Sequence, residues 1–566
     1  MKKHSRRGIS HGWMYMRDNS TKNNFIMQAG ILAAAGIVSR IIGLLYRSPM
    51  HRVIGDLGLG YYQVAYSYYL IILLISSYSI PSAISKVIAQ KLAVKEFRNA
   101  HRVFLCALGY VLVVGVAASL FLFFGAGLFV APEVIPVLQA FAPTIFLYGI
   151  LGVMRGYFQA HRSMVQTSVS QILEQIANAL VSVGAAWLLI HNVFGTLEIP
   201  MDEAGQKTRA VYGAVGSALG TGAGVAAALL FMLAIYFLNV RLIRRRIQRD
   251  RHENVEPFGQ IFKTITMIVT PFILSTAINN LSGTVNNSVY TKLFPDIRGL
   301  DPLQFYERMG VFSGQAQTIS NIPIAFATAM ASAMIPSVAQ LVASWNVEGA
   351  KERIGTAVKT TMLISIPCAA GLCVLARPVT CLLFSNTPEV EELAARLLMA
   401  LSLSVIFYAL STLNSSILQG IGKVNAPIIH AGVALAVQTA AVILLLFFTD
   451  LDLYSVAIAN TLYAGILCVL NQRTVRKAVG YRQEILKTFV VPGIVSALMA
   501  AFAWAVYEAL LMVTASPRIS VIPAIILAAL FYFVVLLVFR VVSEEELRSF
   551  PKGSSLVKLA KRFHLM

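Results

Sequence analysis

Residues 80–90 read IPSAISKVIAQ and residues 335–344 read IPSVAQLVAS, two similar phrases about 255 positions apart. A second pair, FLYGILGVMRGYFQAHRS at 146–163 and IFYALSTLNSSILQGIGK at 406–423, is separated by about 260 positions. Each phrase closes an apolar segment and leads into a polar stretch. Two pairs at nearly one offset predict an internal duplication, in which one helical unit is followed by a second copy.

The composition excludes an ordinary soluble enzyme. The chain has 566 residues, of which only 13% are charged, and a mean hydropathy of +0.71, whereas soluble domains carry about 25% charged residues. Apolar runs of roughly 20 residues cross a bilayer as helices, because backbone groups in lipid must satisfy their own hydrogen bonds. We therefore predict an all-α polytopic membrane protein.

The apolar runs predict fourteen transmembrane helices. They lie at about 24–47, 61–85, 103–130, 138–160, 168–191, 209–240, 264–292, 311–343, 356–384, 393–419, 425–448, 453–472, 486–513 and 519–541.

The duplicated phrases close spans 2 and 8 and spans 4 and 10, so six spans form one unit and the next six repeat it. An even-numbered unit gives both copies the same orientation, which predicts two parallel six-helix lobes and two additional C-terminal helices. The predicted divisions are a cytoplasmic N-terminal segment (1–23), an N-lobe with helices 1–6 (24–240), a basic cytoplasmic linker (241–263), a C-lobe with helices 7–12 (264–475), helices 13–14 (476–542) and a cytoplasmic C-terminal tail (543–566).

The net charge of +20 belongs to membrane orientation and does not indicate a nucleic-acid partner. If the N-terminus is cytoplasmic, 35 of the 46 Lys and Arg residues fall in segments on the inner side. Cytoplasmic segments of membrane proteins carry this excess of cations. We therefore expect a multi-pass protein with both termini in the cytoplasm, and we interpret RLIRRRIQRDR at 241–251 as an anchor at an anionic lipid surface.

Four cations lie along predicted spans 1 and 2: Arg40, Arg47, Arg52 and Lys86. A cation at the bilayer centre costs about 2.5–3.5 kcal/mol, so such residues usually face a bundle interior or an aqueous cavity. Arg40 is in mid-span, and Arg47 is seven residues on, so both project from one helix face. Lys86 is alternatively a snorkelling lysine, and Arg47 and Arg52 are alternatively anchors at the outer interface.

Embedded polar side chains complete the candidate site. Glu174 in span 5 is interpreted as a charge partner of an interior arginine, with a coupling proton and inward snorkelling as alternatives. Asn279 and Asn280 in span 7 and Gln315 in span 8 either bond between helices or line a sugar-binding lumen.

Two prolines and a glycine series predict local helix geometry. Pro81 and Pro336 each remove a backbone donor near the end of a span, which allows a bend. Gly216, Gly220 and Gly224 recur at every fourth residue of span 6, a spacing typical of close helix packing.

No motif for catalysis is present, and we predict neither an enzyme nor a cofactor. Asp450 and Asp452 form a D-x-D in a very short loop without a neighbouring polar site, which does not predict a metal site. The five cysteines lie in or beside apolar spans without C-x-x-C spacing, so neither a disulfide framework nor a metal centre is expected.

Several motifs together indicate a family. The stretches SRIIG, IGDLGLGYYQVAYSYY, IPSAISKVIAQK and RGYFQAHRSMVQTSVSQILEQ resemble the stage V sporulation protein B branch of the MOP exporter superfamily, which includes the MurJ-like flippases. The resemblance implies a MATE-like, V-shaped bundle of two lobes around a cationic cavity, with two extra helices forming a lipid-facing groove. It also implies export of a lipid-linked oligosaccharide pyrophosphate, in particular the peptidoglycan precursor lipid II.

By this resemblance Arg40 matches the arginine of the S-R-[IVL]-[IL]-G motif, and Arg47 approximates a second cavity arginine with a spacing that differs by one. The span-2 arginine of MurJ proteins has no equivalent in YYLIILLISS. The acidic sodium-site residues that some relatives carry on spans 7 and 11 are also missing.

These observations predict a flippase of the bacterial plasma membrane that works by alternating access. Its expected partners are the lipid-linked pyrophosphate, membrane lipids and the cell-wall synthesis machinery, and a duplicated chain is expected to act as a monomer. The alternatives are a flippase of capsule or O-antigen repeat units, a drug/cation antiporter with an acidic cavity, a membrane glycosyltransferase or polymerase with external acids and a metal, and a non-transporting sporulation or division scaffold.

Overall fold

The protein is described by a computed structural model over residues 35–539, apart from 37, 79, 162, 196–201, 249, 251–254, 268–281, 283–284, 286–288, 291–301, 344 and 385–386. Every regular element of this part of the chain is helical. In order, the α-helices are α1 (Arg47–Leu73), α2 (Ile80–Ala93), α3 (Phe97–Gly125), α4 (Ile135–Ala160), α5 (Met164–Phe194), α6 (Glu203–Gln248), α7 (Pro302–Met309), α8 (Gln317–Ala343), α9 (Val347–Val374), α10 (Ala376–Leu383), α11 (Pro388–Gly420), α12 (Asn425–Phe448), α13 (Leu453–Val479), α14 (Val491–Thr514) and α15 (Pro517–Val538).

Shorter helical segments join some of these helices. Residues 35–45 are helical apart from the undescribed position 37, Tyr46 forms a turn before α1, and residues 258–267 are helical. Within the described ranges, three π-helical segments occur at Leu74–Tyr78, Gly310–Ala316 and Leu486–Val490, and two 3₁₀ turns at Ala126–Leu128 and Pro132–Val134.

Among the described residues, eleven helices are long and apolar enough to cross a membrane. The all-helical, multi-pass class is therefore confirmed, whereas the count of fourteen spans is not. Predicted spans 24–47 and 264–292 lie partly or mostly outside the described residues. Predicted span 311–343 is helical but is not among the eleven.

Two helices extend beyond the ends that the sequence predicts. The short outer loop expected between spans 1 and 2 is helical, because α1 runs through it with a single break at Gly55. The basic linker expected from residue 241 begins as a continuation of α6 to Gln248, since the Arg, Leu and Ile residues of this stretch favour a helix. Beyond it, Asp250 and Glu256 contact the ends of α2 and α3.

The helix contacts repeat between the two halves of the chain. In the first half, α4 packs against α2, α3 and α6, and α5 packs against α6. In the second half, α11 packs against α8, α9 and α13, and α12 packs against α13. The helices α14 and α15 pack on each other and against α9 and α10. We call α1–α6 the first helix group and α7–α13 the second.

The prolines lie at different points of their helices. Pro81 is the second residue of α2, directly after the π-helical segment Leu74–Tyr78 and the undescribed Ser79. The wider π turn fits a proline, whose missing N–H cannot bond to the carbonyl four residues earlier. Pro336 lies within α8, which continues through it.

The glycine series of span 6 makes the close helix packing that its spacing predicts. A Cβ atom at Gly216 would overlap the backbone of Ala186, one at Gly220 would overlap Ser182, and one at Gly224 would meet the carbonyl oxygen of Glu174. Ser182 also donates a hydrogen bond to the carbonyl oxygen of Ser217, 3.0 Å away. The pair α5 and α6 is thus fixed by backbone approach along three turns.

We expect Gly220→Ala to destabilise the protein by about 1–3 kcal/mol, since its methyl group has no space against Ser182. The matched control is Gly184→Ala on α5, where no atom lies within 4 Å of the added carbon. Thermal unfolding of the detergent-solubilised variants measures the difference. Equal melting temperatures for the two variants would contradict the close approach of α5 and α6.

Candidate functional site

The first helix group meets the second at one end of the molecule, where α1 breaks. Gly55 has φ +72°, a conformation that side chains other than glycine rarely adopt. Arg209 of α6 is 5% exposed, and its Nη2 donates to the carbonyl oxygen of Val53, 2.8 Å away. A cation beside the last carbonyls of a helical segment is favourable, so Arg209 stabilises the break.

Glycines allow the two groups to touch through their backbones just after this break. A Cβ atom at Gly60 would overlap the carbonyl oxygen of Tyr306, and one at Gly310 would overlap the carbonyl oxygen of Asp56. A Cβ atom at Gly314 would overlap the side chain of Leu59. We call this contact between residues 56–60 and residues 306–314 the junction.

A buried polar cluster crosses the junction. Asp56 Oδ1 lies 2.8 Å from His51 Nε2 and accepts a hydrogen bond of 2.7 Å from Gln315 Nε2. His51 and Gln315 are buried, and the His51 ring meets Phe384 edge-to-face at 5.4 Å. We call His51, Asp56 and Gln315 the junction cluster.

The hydrogen bond of Arg47 shows which face of its helix lies toward the second helix group. Its Nη1 donates to the carbonyl oxygen of Gly314, 3.4 Å away, across the junction. Arg40 is seven residues earlier on a helix that continues through Tyr46 by hydrogen bonds of 3.1 and 3.0 Å, so it lies on the same face about two turns from the junction. The Arg40 side chain is exposed and has interactions of its own.

The exposed apolar residues of the helical segment before α1 lie on a different face from Arg40. Val38, Ile41 and Leu45 are exposed and share a face about 130° around the axis from Arg40. Ala35 and Tyr46 are buried, and Asn178 of α5 bonds to the Tyr46 hydroxyl. The segment therefore has a buried face, an apolar exposed face and a separate cationic face.

The other predicted cavity residues are dispersed. Arg52 is exposed on α1 about 140° around the helix from Arg47, and Lys86 is exposed on α2, opposite the buried Ile84 and Ile88. Gln315 belongs to the junction cluster, and Asn279 and Asn280 lie outside the described residues. No group of three or more metal-binding side chains occurs in the described ranges.

Glu174 pairs with an arginine that the sequence analysis had counted among the inner-side cations. Arg155 is 6% exposed, and its Nη2 donates to Glu174 Oε2 at 2.7 Å while its Nε donates to Ser170 at 2.9 Å. The signal for this pair is that Arg155 falls within the apolar phrase 146–160, ahead of the polar residues that end the span. A pair this buried satisfies its own charges inside the first group.

The sequence analysis also missed the junction cluster, because it assigned His51 and Asp56 to a polar segment outside the spans. His51 and Asp56 fall in the stretch that reads as a short outer loop, where polar residues are ordinary. Arg209 sits at the predicted start of span 6 and reads as an interface residue. A signal was nevertheless present, since GDLGLG at 55–60 and GVFSG at 310–314 are both glycine-rich beside a predicted span.

A separate apolar groove borders α14 and α15. Its volume is about 520 Å³, and its walls come from α8, α9, α14 and α15. Pro323, Leu363, Cys368 and Met499 line it, together with Tyr532, whose hydroxyl donates to the carbonyl oxygen of Leu363. The residues of α9 that line this groove, from Leu363 to Leu372, are apolar.

Comparison with known families gives two matches. The polysaccharide biosynthesis protein model matches residues 26–342, more than half of the chain, and the MatE model matches residues 313–445.

Three known proteins illustrate the similarity. The lipid II flippase MurJ of Bacillus subtilis (strain 168) is 23% identical over 490 residues, which cover 83% of this chain and 86% of that protein. Stage V sporulation protein B of the same strain is 22% identical over 536 residues, covering 94% and 98%. An outward-facing structure of a multidrug resistance MATE family transporter of the MOP superfamily aligns with a TM-score of 0.58 at 16% identity, covering 84% of this chain and 99% of that one.

The matches confirm the predicted family resemblance and the MATE-like fold. MurJ is named as a flippase and the structural neighbour as a transporter, and neither is named as an enzyme, in agreement with the missing catalytic motifs.

We expect Gly60→Ala to keep the junction from closing, because the added methyl group would overlap the Tyr306 carbonyl oxygen. The measurement is alkylation of a cysteine introduced for the buried Met309 by a membrane-impermeant maleimide, in a background without the native cysteines. Labelling should increase severalfold over the chain that keeps Gly60, an effect of about 1–3 kcal/mol on closure. Gly36→Ala is the control, since nothing lies within 4 Å of its added carbon. A Gly60→Ala protein as protected as this control would contradict the predicted overlap.

Proposed function

Because the chain belongs to the polysaccharide biosynthesis protein family, we propose that it is a MOP-superfamily flippase. Its cargo would be a lipid-linked oligosaccharide pyrophosphate that moves from the inner to the outer leaflet of a bacterial plasma membrane. The specific cargo we propose is the peptidoglycan precursor lipid II, since one relative is named as a lipid II flippase.

The observation that carries the proposal is the cationic face of the helix before the junction. The bond from Arg47 to Gly314 turns this face toward the second helix group, and Arg40 lies two turns farther along it. A pyrophosphate carries charge that hydrocarbon cannot solvate. Guanidinium groups bind such groups bidentately, so an arginine column between two helix groups suits this cargo.

The junction would be the outer gate of this pathway. Along α6, Arg209 at the junction and the arginines at 244–246 are separated by about 50 Å, more than the thickness of the hydrocarbon core. If the basic end is cytoplasmic, as the distribution of cations favours, the junction closes the outer side. The described conformation would then receive cargo from the inner leaflet.

The two groups would act as rocking lobes, with proposed limits at 24–240 and 264–475. In such repeats the central site opens to alternate sides as one half moves against the other. Contacts at the junction are the part that must separate for release. The domain divisions and the cytoplasmic position of both termini belong to this proposal.

The apolar groove would hold the lipid tail while the head group crosses between the lobes. Each buried methylene contributes about 0.8 kcal/mol, so a long polyprenyl chain gains more from a groove of about 520 Å³ than from a flat surface.

Sodium coupling is not part of this proposal. Predicted spans 7, 11 and 12, which include the two spans where some relatives carry acidic sodium-site residues, bring together Ser282, Gln438 and Asn460. Their side chains form hydrogen bonds of 2.7 Å (Ser282 to Gln438) and 3.2 Å (Gln438 to Asn460). These are neutral, buried groups that satisfy each other. The interior-negative membrane potential contributes about 2.3 kcal/mol per charge per 100 mV to outward movement of an anion.

A second candidate is a flippase of capsule or O-antigen repeat units, which the name of the matching family favours. The cargo of such a flippase would differ from lipid II in its sugars and would carry the same pyrophosphate. Growth of a strain depleted of its lipid II flippase separates the two, because a repeat-unit flippase does not restore it. The MatE match raises a drug/cation antiporter, but a cationic face opposes a cationic cargo.

We expect Arg40→Ala to lower export of lipid-linked precursor roughly tenfold or more, the effect of one charged hydrogen bond worth about 1.5–3 kcal/mol. Arg40→Lys should retain part of the activity, because it keeps the charge and loses the bidentate geometry. The measurement is the fraction of lipid II in the outer leaflet of the depleted strain, at matched expression.

Arg396→Ala is the matched control for Arg40→Ala. Arg396 is also an arginine in a predicted span, but its side chain is 64% exposed and pairs with Glu392 one turn away. It should export at the normal rate. Full-rate export by Arg40→Ala would overturn the proposed mechanism.

We expect Gly371→Leu to reduce export by filling the groove, where the nearest atom to the added carbon is Met499 Cε at 3.9 Å. The loss should be about fourfold for each methylene of the lipid tail that the new side chain displaces. Gly493→Leu on α14 is the control, with no atom within 4 Å of its added carbon. Equal export by both variants would remove the groove from the pathway.

A further inference from the structure

We propose that a polar pocket at one end of the apolar groove is a loading site for the head group of the lipid-linked cargo. The proposal deepens the proposed function, because it rests on a lipid-linked pyrophosphate as the cargo. The pocket binds the pyrophosphate through Lys359 and Lys487, and it binds the sugars through carboxylates that lie farther from the groove. It shares no residue with the arginine face beside the junction.

The polar pocket and the apolar groove follow one another along the same helices. The pocket has a volume of about 890 Å³. On α9, residues 348–359 include its lining, and residues 363–372 include that of the groove. At the end of α15, Leu537 lines the groove and Phe539 lines the pocket. A molecule that extends from one into the other must therefore have an apolar part and a polar part.

The chain after α13 folds against α9 and forms one wall of the pocket. The helix ends at Gly480, whose φ is +72°, and the next residue, Tyr481, is 7% exposed and packs in the same core cluster as Ile354 of α9. The π-helical segment Leu486–Val490 then leads into α14. Such segments are frequent at functional sites. Residues 482–488 thereby share the pocket with the first turns of α9.

Two lysines are the charged pocket residues that come closest to the groove along their helices. Lys359 is half-buried and precedes the groove residue Leu363 by one turn, so it lies on the same face of α9, about 6 Å away along the axis. Lys487 comes four residues before Val491, at the start of the helix whose Met499 lines the groove. A lysine binds phosphate as a point charge. A lipid whose chain lies in the groove therefore presents its phosphates to these two ammonium groups.

The carboxylates of the pocket lie farther from the groove. Glu352 and Glu348 precede Lys359 by seven and eleven residues, which is about 10 and 16 Å along α9. Glu348 also accepts a hydrogen bond of 2.7 Å from Lys351, and Glu484 comes before Lys487 in the chain that follows α13. Carboxylate oxygens accept hydrogen bonds from hydroxyl groups. The order of charges from the groove outward thus matches a pyrophosphate followed by sugars.

This mixture of charges favours a glycosylated pyrophosphate over an ordinary anionic phospholipid. With Lys351 and Arg482, the lining carries four cations and three carboxylates. Three carboxylates oppose a small anionic head group, whereas the hydroxyl groups of sugars supply donors to them. The basic segments 351–359 and 473–487 put the pocket on the inner side in the proposed orientation. The head group is therefore bound from the inner leaflet, before it reaches the arginine face.

The test is photocrosslinking in the full-length protein. The photoreactive residue p-benzoylphenylalanine is introduced for Phe539, which is 62% exposed and lines the pocket. The protein in phosphatidylcholine nanodiscs receives radiolabelled lipid II, and the crosslinked fraction is titrated to give an apparent Kd. Unlabelled lipid II, phosphatidylglycerol and inorganic phosphate compete in parallel samples.

We expect the double variant Lys359→Gln/Lys487→Gln to raise the apparent Kd about tenfold or more, because it removes two charged partners of the pyrophosphate. Glu352→Gln should weaken lipid II and leave undecaprenyl pyrophosphate unchanged, since only lipid II has sugars. Lys423→Gln is the matched control, an exposed lysine outside the pocket in the turn after α11, and it should bind normally. If the double variant does not fold, Lys487→Gln alone decides, because this lysine is exposed.

Only unlabelled lipid II should compete efficiently. Competition by phosphatidylglycerol or phosphate at the same concentrations, or an unchanged Kd in the lysine variants, would overturn the proposal.

The crosslink involves no transport, so it separates the loading site from the proposed function. Arg40→Ala should crosslink at position 539 as the parent does. Export that depends on Arg40 without any crosslink at 539 would overturn the loading site alone, whereas full-rate export by Arg40→Ala overturns the proposed function.

Discussion

The close backbone contact between residues 56–60 and residues 306–314 is the constraint on which the rest of the arrangement depends. Two helix groups with repeated internal contacts meet there through glycines, so the chain comes within a distance that no side chain would permit. This contact fixes the direction in which α1 and the helix before it face. The guanidinium group of Arg47 points across it to Gly314.

Charges within the apolar spans are handled in two different ways. Arg155 and Glu174 form a buried pair that neutralises itself inside the first helix group. Arg40 instead lies exposed on a face distinct from the apolar one. A buried ion pair and an exposed arginine have different physical consequences, because the first leaves no net charge and the second attracts an anion. This difference supports a cargo with phosphate groups over a cationic drug.

The groove beside α14 and α15 and the arginine face suit the two ends of an amphipathic cargo. The first is lined by aliphatic, sulfur and aromatic side chains, and the second carries guanidinium groups. A lipid-linked pyrophosphate has both properties in one molecule, and neither a soluble sugar nor a simple cation does. The junction cluster adds a buried polar contact between the two groups. Its histidine and carboxylate flank the helix break, so their hydrogen bonds act on the same contact that orients Arg47.

The sequence alone determined the helical membrane class and the position of most helices, because hydropathy and periodicity are local properties, and its repeated phrases predict a duplication. It also indicated that Arg40 and Arg47 share a face, since seven residues make about two turns, and that the glycines of α6 pack closely. It did not identify the junction cluster, because His51 and Asp56 read as loop residues and their partner Gln315 is 259 positions beyond Asp56. Nor did it identify Arg155 as the partner of Glu174, or the continuation of α1 through a single break at Gly55. These features depend on which helices meet in space, and only the tertiary structure decides which residues of distant segments become neighbours.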